Sequence, residues 1–128
     1  MSTLYLIGRI ILGAFFIYNA YGHFSNIKGM GGYAASKGIP MPEFSVIFTG
    51  LMLLLGGLGI LLGVHTTIAI AILVIFLLGT TFMMHNFWKE TDGMMKMTQR
   101  IQFTKNLAIV AALLMLLALP IPWLFAAF

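Results

Sequence analysis

The polar side chains best suited to chemistry in this apolar chain recur in pairs four residues apart. Residues at that spacing project from one face of a helix. Three such pairs are Asn19 with His23, Thr81 with His85, and Gln102 with Asn106.

If the helices that carry these pairs pack antiparallel, their polar ends meet at one depth, and we expect a polar cluster there. Its predicted members are Asn19, His23, Glu43, His85, Asn86 and Asn106. Such a cluster suits a quinone head group, whose carbonyl oxygens need hydrogen-bond donors and whose reduction needs protons that histidine can relay. A lipid head group is the alternative ligand. In a third interpretation the same side chains bind nothing and bridge helices at head-group level.

No catalytic residue and no metal site are predicted. The chain has no cysteine and no HxxxH pair, so a zinc site lacks its usual ligands. Two histidines on different helices could ligate a haem, but two histidines alone are weak evidence for one. We therefore expect no intrinsic cofactor, with quinone as the candidate ligand from outside.

Arg9 is the one Lys, Arg, Asp or Glu predicted inside an apolar span, and charged residues there usually have a specific partner. The three acids, Glu43, Glu90 and Asp92, all fall at the other end of the predicted bundle. The remaining partners are lipid phosphate, the carbonyls that end the second span, or an anion supplied by a ligand or partner protein. We therefore predict an anion or partner contact at Arg9.

Composition places the chain in a bilayer. Of its 128 residues 61% are hydrophobic and 8% are charged, far from the balance of a soluble domain. A single all-α domain is expected, an integral membrane four-helix bundle. Its predicted spans are residues 4–24, 44–64, 67–86 and 106–123; residues 25–43 form an interfacial loop, and residues 87–105 form a basic loop with an amphipathic entry to the fourth span.

Charge predicts the orientation of these spans. Four crossings place both termini on one side of the membrane, and the two long loops on the other side hold six of the seven Lys and Arg residues. The positive-inside rule then puts the loops in the cytoplasm and both termini outside the cytoplasmic membrane. The bilayer is the expected partner of this positive charge, and nucleic acid is not. Trp88 and Lys89 in the second loop are predicted partner contacts.

The second span is rich in glycine, with Gly59 and Gly63 at GxxxG spacing. Small residues let helices approach closely in lipid. Two interpretations stay open: tight packing inside one subunit, or a homo-oligomer formed through this helix.

Three stretches together resemble the DoxX family of small bacterial and archaeal membrane proteins. They are GRIILGAFFIYNAYGHF, GIPMPE, and HNFWKETD with FTKNLAIVAALLML. The resemblance implies a four-helix membrane bundle and, from some members, an accessory role in membrane redox or oxidative-stress systems. The family's name comes from a small subunit of a quinone-reducing complex. It implies no catalytic set for this chain.

The leading hypothesis is therefore an accessory subunit of a membrane redox system, with a quinone or lipid pocket and a redox partner subunit. We do not expect it to be an enzyme on its own. The alternative is a non-catalytic structural or assembly subunit. A solute carrier is disfavoured, because no acid lies within a span and no inverted repeat is apparent.

Overall fold

The computed structural model describes residues 1–127, and they form helices and turns with no strand. The helices are α1 (Ser2–Ser25), α2 (Ile27–Ser36), α3 (Pro42–Leu62), α4 (Thr66–Met84) and α5 (Gly93–Leu116), with a 3-10 turn at Phe87–Lys89. The prediction of an all-α membrane protein is confirmed.

The four long helices pack in chain order. α1 lies against α3, α3 against α4, and α4 against α5, while the short α2 lies on α3. Buried apolar side chains from all four long helices meet in one core, which contains Phe16, Leu53, Ile60, Ile70, Leu73, Val110, Leu113 and Trp123. Large apolar side chains also cover much of the outside, as lipid contact requires.

Three helical segments of residues 1–127 are long and apolar enough to cross a membrane: Ser2–Ser25, Pro42–Leu62 and Thr66–Lys89. α5 differs, because it carries Lys96 and Arg100 in its first half and Lys105 at its middle. A fourth crossing, and with it the placement of both termini outside the membrane, stays a prediction.

α5 begins with an N-cap at Asp92, whose carboxylate accepts a 2.9 Å hydrogen bond from the Met95 backbone N–H. It continues without a break from the basic segment into the apolar one. The predicted helix to residue 123 is wrong at its end, because α5 stops at Leu116. Pro120 and Pro122 cannot continue a helix, and the chain turns back instead.

The returning residues 117–127, here called the C-terminal segment, lie across the end of the bundle where α1 begins and α3 ends. The backbone N–H of Ala127 donates a 2.8 Å hydrogen bond to the carbonyl of Leu62 at the end of α3. Trp123 is 4% exposed and packs its ring edge-on against Tyr5 of α1. The C-terminal segment therefore closes this end of the bundle.

The glycines of α3 pack against other helices of the same chain. A Cβ on Gly59 would lie 2.5 Å from the Cβ of Ala69 on α4, and one on Gly57 would lie 3.1 Å from the carbonyl oxygen of Gly13 on α1. Gly63 ends α3 in the left-handed region at φ +71°. This packing supports the first of the two interpretations of the glycines, and it gives no support to a homo-oligomer through the same face.

Candidate ligand and partner sites

A chain of hydrogen bonds joins three helices at the end of the bundle covered by α2. His85 follows the last residue of α4, and its Nδ1 lies 2.7 Å from Oε1 of Gln99 on α5. The Gln99 amide nitrogen donates a 2.7 Å bond to the hydroxyl of Tyr33 on α2. The Tyr33 hydroxyl in turn donates to the Met84 carbonyl at 3.4 Å. The buried side-chain amide of Gln99 is thus hydrogen-bonded both to His85 and to Tyr33 of α2.

Beside this chain, Lys37 carries a second set of bonds. Its ammonium group donates 2.9 Å hydrogen bonds to Oδ1 of Asn86 and to Oε1 of Glu90, forming an ion pair with the latter. The Lys37 and Glu90 side chains are 13% and 22% exposed, so the pair is sheltered from solvent. Lys37 therefore ties the residue after α2 to the loop that follows α4.

His23 makes its contacts elsewhere, with α3. Its Nδ1 lies 3.0 Å from the Val46 carbonyl oxygen and 3.2 Å from the Thr49 hydroxyl. The imidazole also packs edge-on against the ring of Phe76 on α4, with 5.9 Å between ring centroids. This histidine fastens the end of α1 between two other helices.

The structure does not bring the predicted polar cluster to one depth. Phe76, beside His23, precedes His85 by nine residues, which is roughly 13 Å along a helix. The physical reason is helix length: α1 ends two residues after His23, whereas α4 continues to Met84 and is covered there by α2. The two histidines therefore belong to separate contact networks.

The remaining members of the predicted cluster are also dispersed. Asn19 is exposed and donates a 2.7 Å bond to the Phe15 carbonyl of its own helix. Glu43 is exposed in the first turn of α3, next to Gly31 of α2. Asn106 is buried on α5 with 7% exposure. Only Asn86, which is 9% exposed, lies in a network next to His85.

Trp88 and Lys89, the predicted partner contacts, occupy the turn between α4 and α5. Trp88 is 49% exposed. It forms an aromatic cluster with Phe82, Phe87 and Phe103, and the centroid of its ring lies 5.4 to 6.4 Å from the centroids of these three rings. Lys89 is exposed beside it. This turn presents an aromatic and basic surface, and its use by a partner stays a prediction.

Arg9 lies at the opposite end and is buried, with 7% of its surface exposed. Its Nη1 donates a 2.6 Å bond to the Leu124 carbonyl and its Nη2 a 2.8 Å bond to the Phe125 carbonyl. Carbonyls are among the partners the sequence predicts, but these belong to the C-terminal segment and not to the end of α3. The guanidinium also lies 5.7 Å from the centroid of the Tyr5 ring.

Sequence reasoning missed Gln99, Tyr33 and Lys37, which carry both networks around His85. One signal was available: Gln99 precedes Asn106 by seven residues, so both fall on one face of α5, and both are buried. Tyr33 and Lys37 gave no signal of this kind, because their roles depend on how α2 lies over the bundle.

The chain is similar to known proteins in two comparisons. The DoxX family model matches residues 4–86. The chain is also similar to the inner membrane protein YphA of Escherichia coli strain K12, with 32% identity over 114 residues that cover 89% of this chain and 81% of that protein. No solved structure matches. Together with the three apolar helices, these likenesses support a multi-pass protein of a bacterial membrane. The chain belongs to the DoxX family of integral membrane proteins.

Proposed function

We propose that this protein is an accessory subunit of a membrane redox system, which holds a quinone or lipid head group at the end of the bundle covered by α2. In this proposal a partner subunit carries out the electron transfer. The observation that carries the proposal is the arrangement of His85, a half-buried imidazole fixed through Nδ1 by the buried Gln99. No hydrogen bond within residues 1–127 uses the other ring nitrogen, Nε2, and we assign this atom to the ligand.

The bonding pattern indicates what kind of group Nε2 would meet. The Gln99 amide nitrogen donates to Tyr33, so the amide oxygen faces His85 and accepts a hydrogen bond from Nδ1–H. A neutral His85 then carries its hydrogen on Nδ1 and accepts at Nε2. The fitting ligand group is a hydroxyl, such as that of a reduced quinone or a lipid head group.

Exposed positive charge at the same end supports docking of a partner. The exposed basic residues of this end are Lys28, Lys89, Lys96, Arg100 and Lys105. By the positive-inside rule this end lies in the cytoplasm, and the relative named above is a protein of the inner membrane. We infer an acidic partner surface or anionic lipid at this face.

The test is organic extraction of the protein purified in mild detergent, followed by quinone analysis. We expect quinone in a stoichiometric amount from the wild type and its loss from His85→Gln, which keeps a polar group of related size but removes the imidazole acceptor. His65→Gln is the matched control, since His65 is exposed in the turn between α3 and α4. Gel filtration shows whether each variant is folded.

Quinone that stays in folded His85→Gln would contradict a quinone site at this histidine. If the wild type yields no quinone above a detergent blank, the extract is analysed for phospholipid. A phospholipid lost only in His85→Gln would support the lipid form of the proposal. If the wild type yields neither quinone nor phospholipid, both forms of the proposal are wrong.

A second function is favoured by a different observation: the polar side chains of this end bond to one another. His85, Gln99 and Tyr33 form one set, and Lys37, Asn86 and Glu90 form another. Bonds of this kind stabilise a bundle without any ligand. These bonds would be sufficient for a non-catalytic structural or assembly subunit. Stoichiometric co-purification of a partner without quinone or lipid would support this alternative.

A further inference from the structure

A concave site lies at the end of the molecule opposite His85, beneath the C-terminal segment. It is a cavity of about 230 Å³ between the start of α1, the end of α3 and the end of α5. Its apolar wall includes Leu12, Ile60, Leu116 and Trp123, and its polar groups belong to Tyr5 and Arg9. The site is thus an apolar space with one cation in its wall.

Two hydrogen-bond donors of the residues in this wall have no acceptor among residues 1–127. Arg9 is 93% buried, and its two Nη atoms bond to backbone carbonyls, but its Nε has no partner among residues 1–127. The hydroxyl of Tyr5 is buried and also lacks a partner there. Buried donors are nearly always satisfied, so these two donors, on residues that line the cavity, call for an acceptor. Each donor atom has less than 1 Å² of exposed surface in this structure, so an acceptor in the cavity bonds them only after the two side chains shift.

Charge specifies the acceptor further. The carbonyls of Leu124 and Phe125 are neutral, and the chain's three acids, Glu43, Glu90 and Asp92, lie in or beside the α2 end of the bundle. The positive charge of Arg9 is therefore not balanced by an acidic side chain near it. No ion pair within residues 1–127 involves Arg9, and an unneutralised buried charge is costly in low dielectric, and more so within a bilayer.

We propose that this cavity binds the oxyanion head of an amphiphile, a carboxylate or phosphate joined to an alkyl chain. The head would accept hydrogen bonds from Arg9 Nε and the Tyr5 hydroxyl, while the first methylenes fill the apolar part. The cavity is smaller than the roughly 300 Å³ at which drug-sized sites begin, so the rest of the alkyl chain would run into the surrounding lipid. This site is separate from the one proposed at His85.

Isothermal titration of the full chain in a neutral detergent tests the site with four probes. Dodecanoate and dodecyl phosphate carry the proposed head on an alkyl chain. Dodecanol keeps the alkyl chain without the charge, and inorganic phosphate keeps the charge without the chain. We expect the two amphiphilic anions to bind one per chain, with both controls at least about tenfold weaker.

Two variants locate the binding. Tyr5→Phe removes one donor and keeps the aromatic contact with Trp123, so we expect dodecanoate affinity to fall about tenfold, as for one hydrogen bond to a charged group. Arg9→Gln should lose the preference for dodecanoate over dodecanol. Arg100→Gln removes an exposed charge at the other end and should bind as the wild type does.

Three results would overturn the proposal. Equal affinity for dodecanol and dodecanoate would indicate an apolar cavity whose donors are satisfied by water. Equal affinity for inorganic phosphate would indicate a free anion in place of an amphiphile. Unchanged binding in folded Tyr5→Phe would place the ligand elsewhere, and this variant keeps the test valid even if Arg9→Gln does not fold.

Discussion

His85 Nδ1 lies 2.7 Å from Gln99 Oε1, and this contact joins the residue after α4 to the polar half of α5. Gln99 is only 6% exposed, although the residues around it on α5 are exposed. A buried amide with both of its ends bonded, one to His85 and the other to Tyr33, fixes the relative positions of three helices.

Removal of this amide should loosen the bundle. Gln99→Ala leaves the His85 Nδ1–H and the Tyr33 hydroxyl without their partner, and we expect a loss of about 1–3 kcal/mol in the free energy of unfolding. Unfolding in mixed dodecyl sulfate and dodecyl maltoside micelles, followed by circular dichroism, measures it. Gln102→Ala is the control, because Gln102 bonds only the exposed Lys105 among the described residues. Equal losses in the two variants would contradict the role assigned to Gln99.

Close packing of α1 on α3 should depend on Gly13. A Cβ there would lie 2.9 Å from the backbone nitrogen and 3.0 Å from the Cα of Leu61, and backbone atoms cannot move aside as a side chain end can. We expect Gly13→Ala to destabilise the fold by about 1–3 kcal/mol, as overpacking does.

Gly22→Ala provides the matched control on the same helix. A Cβ at Gly22 meets nothing within 4 Å. Alanine favours helix over glycine by up to about 1 kcal/mol, so this variant should be as stable as the wild type or more so. The same micelle titration compares them, and a stable Gly13→Ala would show that α1 and α3 can separate without cost.

Labelling from one side of the membrane tests the orientation. The chain has no cysteine, so single substitutions at exposed positions report cleanly. With the long loops in the cytoplasm and the termini outside, a membrane-impermeant maleimide added to intact cells should label Thr67→Cys and Leu124→Cys. Lys96→Cys should react only after the membrane is permeabilised. Labelling of Thr67→Cys but not Leu124→Cys would show that α5 does not cross.

The sequence predicts most of the helical architecture, because a span needs only a long apolar run and that is a local property. Gly38, Pro40 and Pro42 likewise indicate the break before α3, since their effects on the backbone are local. The end of α5 was misplaced because residues 117–123 are as apolar as a span, and apolarity alone does not distinguish a helix from a segment packed across the end of a bundle.

The candidate sites were harder to predict because they depend on contacts distant in sequence. His23 and His85 are both polar residues near helix ends, but their relative depth depends on how far α4 extends past α1. Arg9 could be recognised as a buried cation from its position in an apolar run. Its actual partners lie 115 and 116 residues later, beyond the reach of any local pattern.

The bonds from Arg9 to the C-terminal segment also bear on the order in which the protein is made. α1 leaves the ribosome well before Leu124 and Phe125 are added, because these residues lie 115 and 116 positions after Arg9. Throughout that interval the Arg9 guanidinium lacks two of its final hydrogen-bond acceptors, and water, lipid phosphate or the insertion machinery must accept its hydrogen bonds instead. A chain that stops short of Leu124 lacks both acceptors, so truncation at one end of the sequence leaves a buried guanidinium near the other end without two of its bonds.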